Sequence, residues 1–166
     1  MSDENPYRPP GAAVAEVEDA AIPALAGRGQ RFVAALIDSL INAALAIPLM
    51  LALGVFDYGK RGFVPFPLLI GMQVVLFVAF ILIHGYWLRK NGQTVGKKIV
   101  GIRIADLAGD VPGFGRVLFL RYLPVWLVAA IPAVGQAAPL VDALFIFRSD
   151  RRCVHDLIAG TQVVNA

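Results

Sequence analysis

The feature that most constrains this chain is an uncharged apolar stretch, Leu68–Ile83. It lies within a longer apolar segment, 63–88, which as a helix is long enough to cross a hydrocarbon core of about 30 Å. Tyr86 and Trp87 stand near the end of this segment, where the aromatic belt of a membrane interface is expected. The segment therefore predicts a helix that spans a lipid bilayer.

A second apolar segment, 32–55, contains one acid, Asp38. An Asp at the centre of an inserting helix costs about 2.5–3.5 kcal/mol, whereas each Leu, Ile, Phe or Val contributes about 0.3–0.6 kcal/mol in favour of insertion. Because the segment is rich in these apolar residues, the helix is expected to insert despite its acid.

The composition supports a membrane environment for the whole chain. Hydrophobic residues make up 58% and charged residues 16%, whereas soluble domains have about 45–50% and about 25%. The net charge of +3 comes from basic residues that flank the apolar runs, as the positive-inside rule expects. The partner indicated is the lipid bilayer, and a nucleic-acid partner is not predicted. The fold class predicted is an all-α membrane protein, a small polytopic helical bundle with three to four transmembrane segments.

The third and fourth segments leave two topologies open. Segment 117–134 is long enough to be a span, but segment 137–147 is short. In one topology the two segments form a helical hairpin; in the other there are three spans and the last segment is a surface helix. Because basic residues follow position 147, the hairpin is preferred, since it returns the C-terminus to the cytoplasm.

The polar section between the second and third spans, 91–116, carries a local pattern of its own. Val100, Ile102 and Ile104 alternate with other residues, which is the period of a strand. The sequence predicts a short amphipathic element or hairpin that lies on the membrane face.

The domain organisation follows from these segments. Residues 28–166 are predicted to form one transmembrane domain, and residues 1–27 a disordered, Pro-rich cytoplasmic tail. The alternative for the tail is a short docking peptide for a partner.

Two acids lie within apolar segments, and each needs a charged or hydrogen-bonding partner there. Asp38 is seven residues after Arg31, almost two helical turns or about 10 Å along one helix face. Asn42 lies one further turn along the same stripe. Asp142 lies in the last apolar run, and Arg121 is a plausible partner for it. Intramembrane acids mark functional sites by default, so a cluster of carboxylates and arginines is one hypothesis and a structural contact that fixes helix packing is the other.

The closing segment contains His155 and Asp156. Adjacent residues on a helix point in different directions, so a catalytic His–Asp pair is not predicted. A capped helix lying on the surface is the simpler interpretation. With two histidines and one cysteine, the sequence predicts no metal site, no cofactor and no catalytic residues. His84 is expected to be an interfacial polar residue.

The segment 92–98 has a weak likeness to a phosphate-binding loop. The spacing of its glycines and the residue after Lys97 both depart from that motif, so a nucleotide site is rejected. Lys97, Lys98 and Arg103 are instead predicted to contact anionic lipid headgroups, each contributing about 1 kcal/mol near the surface.

Several different short motifs follow one another along about 28–165. Their residues are Arg31, Ala34, Ala35 and Asp38; Gly92, Thr94, Gly96, Lys97, Gly101 and Arg103; Arg121; Asp142; and His155, Asp156, Leu157, Ala159, Gly160 and Thr161. In this order the motifs resemble those of the RDD family of bacterial membrane proteins. The chain departs from that family at Cys153 and Val154, where a polar residue and Thr are frequent. The resemblance implies a helical bundle in the bacterial inner membrane.

The function expected is transport-related, with movement of a cation or proton. In this hypothesis Asp38 and Asp142 bind the ion, while Arg31 and Arg121 tune its affinity. Because four helices are few for a solute pathway, a homo-oligomer or a heteromeric membrane partner is expected. The alternative is a membrane adaptor or assembly factor that recruits partners through its tail and basic cytoplasmic face. An enzyme is not predicted.

Overall fold

The structure is a computed structural model that describes residues 23–131 and 134–166, without the side chain of Gln136. The predicted tail falls mostly on residues 1–22, outside this part. The helices and strands, in chain order, are α1 (Arg28–Ala52), α2 (Val55–Lys60), α3 (Phe66–Asn91), α4 (Val95–Val100), β1 (Ile102–Asp106), α5 (Phe114–Arg116), a π-helical segment (Val117–Tyr122), α6 (Leu123–Ala129), α7 (Val134–Leu144), a 3₁₀ turn (Phe145–Phe147), α8 (Val154–Ala159) and β2 (Thr161–Asn165).

The two long helices, α1 and α3, are apolar and mostly exposed. Both are long and apolar enough to cross a membrane, which agrees with the first two predicted segments apart from shifts of a few residues at their ends. Within them the buried residues are Ala34 in α1 and Phe80, His84 and Leu88 in α3. A helix of a soluble core would bury one whole face, so the large apolar surface left exposed here is matched to lipid.

The third and fourth segments form a helical hairpin. The chain is helical from α5 through the π-helical segment to α6, and α7 packs back against α6. The third helix therefore begins before the predicted position 117 and ends at Ala129, while the fourth begins at Val134 rather than 137. Pro124 follows directly on the π-helical segment, at the second position of α6.

A two-stranded antiparallel sheet joins distant parts of the chain. Strand β1 confirms the strand-like alternation that was predicted for this segment. The predicted local hairpin is wrong, because β1 pairs with the C-terminal strand β2. Leu25 forms a further bridge to Val164, and the amide of Ala26 donates to the carbonyl of Val163 at 2.9 Å. Ala26 is fully buried. The packed part of the chain therefore begins before residue 28, a few residues earlier than predicted.

The most tightly packed apolar residues lie beside this sheet rather than along the two long helices. They form two small clusters, which contain Ala26, Ala34, Ile102 and Val163 in one and Leu88, Ile104 and Val117 in the other. The clusters tie the sheet to the start of α1, to the end of α3 and to the start of the third helical segment. The sheet and these two clusters form a compact region at one end of the molecule, called the cap below, from which the apolar helices α1 and α3 extend.

Candidate functional site

Helix α8 lies in the compact cap, and its start is fixed by a reciprocal capping arrangement. The Asp156 carboxylate accepts a hydrogen bond from the amide of Cys153 at 3.0 Å. Gly160 ends the helix with a φ of 61°, a conformation in which glycine is strongly preferred. The closing motif is therefore a short capped helix, as the simpler interpretation had it. Its Asp156 and Ala159 side chains are buried against the rest of the chain, whereas Ile158 is exposed.

Asp156 is the centre of a buried ion cluster. Arg31 of α1 and Arg121 of the π-helical segment both donate to its carboxylate. The exposed fraction of the Asp156 side chain is 0%, and those of Arg31 and Arg121 are 8% and 2%. Arg121 also donates to the hydroxyl of Thr161 at 2.7 Å. Burial raises the pKa of Asp156, but the charges of Arg121 and Arg31 more than offset that effect and hold the pKa well below its usual range.

The arginines and acids were predicted to cluster, but the pairing differs from the prediction. Neither Arg31 nor Arg121 contacts Asp38 or Asp142 among the described residues; both contact Asp156. The reason is the rise of the helix. Arg31 stands in the first turn of α1, level with α8, whereas Asp38 lies about 10 Å further along the axis.

The π-helical segment places Arg121 in this cluster. A π-turn inserts an extra residue into a helix and changes the direction of the side chains around it, and such turns are frequent at functional sites. Arg121 is buried here, next to β2 and α8. Regular α-helical spacing would not have predicted that orientation.

Asp38 belongs to a second, separate polar cluster that docks α4 onto α1. Its carboxylate accepts hydrogen bonds from the Thr94 hydroxyl at 2.5 Å and from the Gly96 amide at 2.8 Å, and Lys97 Nζ lies 3.9 Å away. A Cβ at Gly96 would clash with the carbonyl of Ala34 and stand 2.9 Å from the Asp38 carboxyl carbon. The motif around Gly96 is thus explained by a close approach of two helices, not by a phosphate site.

His84 supports the same docking from α3. It was expected at the membrane interface, but its side chain is fully buried and its Nδ1 accepts a hydrogen bond from the Val95 amide at 3.1 Å. Burial is possible because the amide at the start of α4 has no partner within its own helix. His84 and Asp38 thus accept hydrogen bonds from two successive amides, those of Val95 and Gly96, at the start of α4.

The remaining predicted residues have individual positions. Asn42 makes no side-chain hydrogen bond within the described part of the chain, so its place on the Arg31–Asp38 stripe leads to no contact there. Lys98 lies over the Trp87 ring, 3.0 Å from its centroid, and Arg103 donates to the carbonyl of Gly109 at 3.1 Å. The predicted headgroup contacts of Lys97, Lys98 and Arg103 stay predictions.

Asp142 is paired with His155, not with an arginine. One carboxylate oxygen accepts from the His155 amide at 3.0 Å, and the other lies 2.5 Å from His155 Nδ1. Their side chains are 20% and 21% exposed. Burial and the charge of Arg121 lower the pKa of His155, so the imidazole is neutral at pH 7.

Asp142 and His155 form a wall shared by two cavities. The larger cavity, about 870 Å³, lies between α1 and α7, and the smaller, about 390 Å³, lies between α6, α7 and α8. Both residues line both cavities. The smaller cavity is otherwise lined by apolar side chains, whereas the larger cavity is also lined by the basic residues Arg28, Arg31, Lys97 and Arg121. The pair therefore contributes a carboxylate that both cavities share.

Cys153 was noted in the sequence as a departure from the family pattern, and it completes a group of possible metal ligands. Ligand atoms of Asp142, Cys153 and His155 all lie within 4.8 Å of one another. Burial raises the pKa of the Cys153 thiol to about 11. No metal site was predicted because the chain has two histidines and one cysteine without paired ligand spacing. The group forms between α7, which carries Asp142, and the start of α8, which carries the other two residues.

The fold and the site are those of a membrane protein: its sequence motifs form two polar clusters, and two long helices are apolar enough to cross a bilayer. The RDD family model matches residues 25–160, and the chain belongs to this family. Among relatives, the chain is 36% identical over 96 residues to a Bacillus subtilis (strain 168) protein named "Uncharacterized protein YckC". The match covers 57% of this chain and 60% of that relative. No solved structure matches the chain.

Replacing Asp156 by Asn should destabilise the protein severely. Two buried guanidinium groups would lose their shared counter-charge, and removing one partner of a buried ion pair typically costs about 3–5 kcal/mol. We expect a large drop in thermal stability of the purified protein in detergent. The matched control, Asp150→Asn, removes an acid whose partner Arg148 is half exposed and should change stability little. Equal effects of the two substitutions would contradict the assignment.

The stability difference between wild type and Asp156→Asn should depend on pH in a defined way. A carboxylate whose folded-state pKa is depressed stabilises the protein above its unfolded pKa of about 3.9, and that contribution is lost as the pH falls through the lower folded value. The stability difference between wild type and Asp156→Asn should therefore be constant between about pH 8 and 5 and narrow only below about pH 4. A difference that disappears near neutral pH would contradict the buried ion cluster.

Proposed function

We propose that this RDD-family membrane protein is transport-related and moves a cation past Asp142. The observation that carries the proposal is the position of the Asp142–His155 pair between two cavities. A partly buried carboxylate at such a position attracts a cation, and its negative charge offsets part of the positive charge of the arginines and the lysine that line the larger cavity.

A comparison of the three acids selects Asp142. Asp156 is saturated by two guanidinium groups, and Asp38 is held by a hydroxyl, an amide and a lysine. Asp142 receives hydrogen bonds from His155 alone in the described part of the chain and carries no fixed cationic partner there. Its negative charge is therefore the one that remains available to a mobile cation. This revises the earlier hypothesis, in which Asp38 shared the role.

The proposed topology follows from the sheet. Leu25, which precedes α1, and strand β2, at the C-terminus, both pair within the same sheet as β1, which follows α3. Their pairing in one sheet supports a position on one side of the membrane, and their basic surroundings favour the cytoplasmic side. We propose that α1 and α3 cross the bacterial inner membrane, while the α6–α7 hairpin enters and returns from the cytoplasmic side. As an ideal helix α7 is about 16 Å long, too short for a core of about 30 Å.

A second protein chain is proposed to complete the passage. Leu140, Leu144 and Phe147 line the larger cavity or its rim and are 69%, 63% and 69% exposed. Residues 23–131 and 134–166 leave this apolar rim open. A second copy or a heteromeric membrane partner would close it.

The transport proposal is tested by cation flux in proteoliposomes that contain the purified full chain. We expect measurable flux of at least one cation from a panel of monovalent and divalent ions, and its loss in Asp142→Asn. The matched control is Asp57→Asn, because Asp57 is exposed in the α2 link and its partner Lys60 is exposed as well. Absence of flux for every ion, or equal flux in wild type and Asp142→Asn, would contradict the proposal.

The adaptor alternative is separated in the same assay. Removing residues 1–22 should leave Asp142-dependent flux unchanged if the protein transports. An adaptor that recruits partners through its tail would instead show no flux, and the deletion would abolish copurification of its partner while membrane insertion persists.

The topology is tested by cysteine accessibility in a Cys153→Ser background. Ala166→Cys marks the C-terminus, and Arg61→Cys marks the link between α2 and α3. We expect an impermeant thiol reagent to label position 61 in intact spheroplasts and position 166 only after the membrane is opened. Labelling of both positions from the same side would contradict a membrane crossing by α3.

A further inference from the structure

We propose that Asp142, Cys153 and His155 form a binding site for a divalent transition-metal cation of the zinc class. The site is the one that the proposed cation passage uses, so the inference deepens the proposed function by naming a class of ion. Binding of the ion does not itself require that the protein transports it.

The donor set indicates this class of ion. A thiolate, an imidazole and a carboxylate are the ligand types of Zn²⁺ and of similar borderline ions. The hard ions Mg²⁺ and Ca²⁺ require about six to eight oxygen ligands, and the three residues offer oxygen from Asp142 only. Selectivity should therefore favour Zn²⁺ or Co²⁺ over Mg²⁺.

The geometry is close to that of a tetrahedral site. The ligand atoms lie within 4.8 Å of one another, whereas metal bonds of about 2.0–2.3 Å require ligand atoms about 3.4–3.8 Å apart. Side-chain movements on the order of 1 Å close the difference. The 2.5 Å contact between Asp142 and His155 Nδ1 would lengthen as the ion replaces the hydrogen between them, and the neutral imidazole would carry its proton on Nε2 instead.

Two elements hold the ligands in place. Cys153 and His155 flank the first residue of α8, and the amide of His155 holds one Asp142 oxygen at 3.0 Å. The other Asp142 oxygen is thereby directed at the imidazole. All three residues line the 870 Å³ cavity, which leaves a fourth coordination position open to water or to another ligand. Three protein ligands with one open position are typical of zinc sites that are not purely structural.

Arg28, Arg31, Lys97 and Arg121 line the same cavity, so a bound cation needs the negative charge that its own ligands supply. Asp156 is occupied by Arg31 and Arg121, so it is not a ligand. Arg31 Nη2 lies 3.7 Å from Cys153 Sγ, and a nearby guanidinium stabilises a thiolate. Binding of the metal forms the metal–sulfur bond and releases the thiol proton to cavity water. The thiolate and the Asp142 carboxylate then supply two negative charges to the divalent ion.

The test uses Co²⁺ as a spectroscopic probe of the purified, metal-free full chain in detergent. We expect one Co²⁺ per chain, visible d–d bands of tetrahedral intensity, and a thiolate-to-cobalt charge-transfer band that Zn²⁺ abolishes and Mg²⁺ does not. Cys153→Ser, a near-isosteric change, should remove the charge-transfer band. Because losing even a residue that only orients a metal ligand weakens binding by roughly 10–100-fold, Asp142→Asn and His155→Asn should each weaken it at least that much.

The controls keep the result interpretable. Asp57→Asn should bind Co²⁺ like wild type, and the thermal unfolding of each variant reports whether it folds. Unaltered Co²⁺ binding in a folded Cys153→Ser variant, or no Co²⁺ binding by the folded wild type, would overturn the proposal. Specific binding without flux would leave the metal site standing and remove the transport role. Asp142-dependent flux of another cation without Co²⁺ binding would support the transport role and overturn the metal site.

Discussion

The structure depends on one buried carboxylate, Asp156, and the two guanidinium groups that neutralise it. Charges removed from water are costly unless they are paired and hydrogen-bonded, and Asp156 satisfies this condition with Arg31, Arg121, Thr161 and the amide of Cys153. The contacts join α1, the π-helical segment, α8 and the start of β2. A single acid therefore connects the beginning, the middle and the end of the sequence. The cost of leaving any member unpaired makes this arrangement specific as well as stabilising.

The positions of the other polar groups follow from this cluster. With α8 fixed, Cys153 and His155 at its start face α7, where the Asp142 carboxylate meets the His155 ring and amide. Asp38 stands deeper along α1 and docks α4 through Thr94, Gly96 and Lys97. The molecule thus separates two uses of intramembrane or near-membrane acids. Asp38 and Asp156 assemble the cap, whereas Asp142 pairs with His155 and lines the two cavities.

Much of the architecture could be predicted because it depends on local patterns. The apolar lengths of α1 and α3 and the alternation in β1 are properties of neighbouring residues, and the structure confirms them. The pairings could not be predicted, because each joins residues far apart in the sequence. Arg31 and Asp38 share a helix stripe, which favoured a pair, but their separation along the axis sends them to different elements. The partner of β1 is the C-terminal strand, and the orientation of Arg121 depends on a π-turn that no periodicity shows. The metal-ligand group that includes Cys153 is not visible in the sequence, because it forms only where α7 and α8 meet in the fold.

The central claim, that Asp156 holds the cap together by direct pairing with arginine, is tested most directly by a double-mutant cycle between Arg121 and Asp156. The free energy of unfolding is measured for wild type, Arg121→Gln, Asp156→Asn and the double variant in the same detergent. Because Asp156→Asn leaves Arg121 buried without its counter-charge and Arg121→Gln leaves Asp156 with Arg31 alone, the double variant should be less destabilised than the sum of the single effects, by about 2–3 kcal/mol. Single effects that add to within about 0.5 kcal/mol, as for independent sites, would contradict the account.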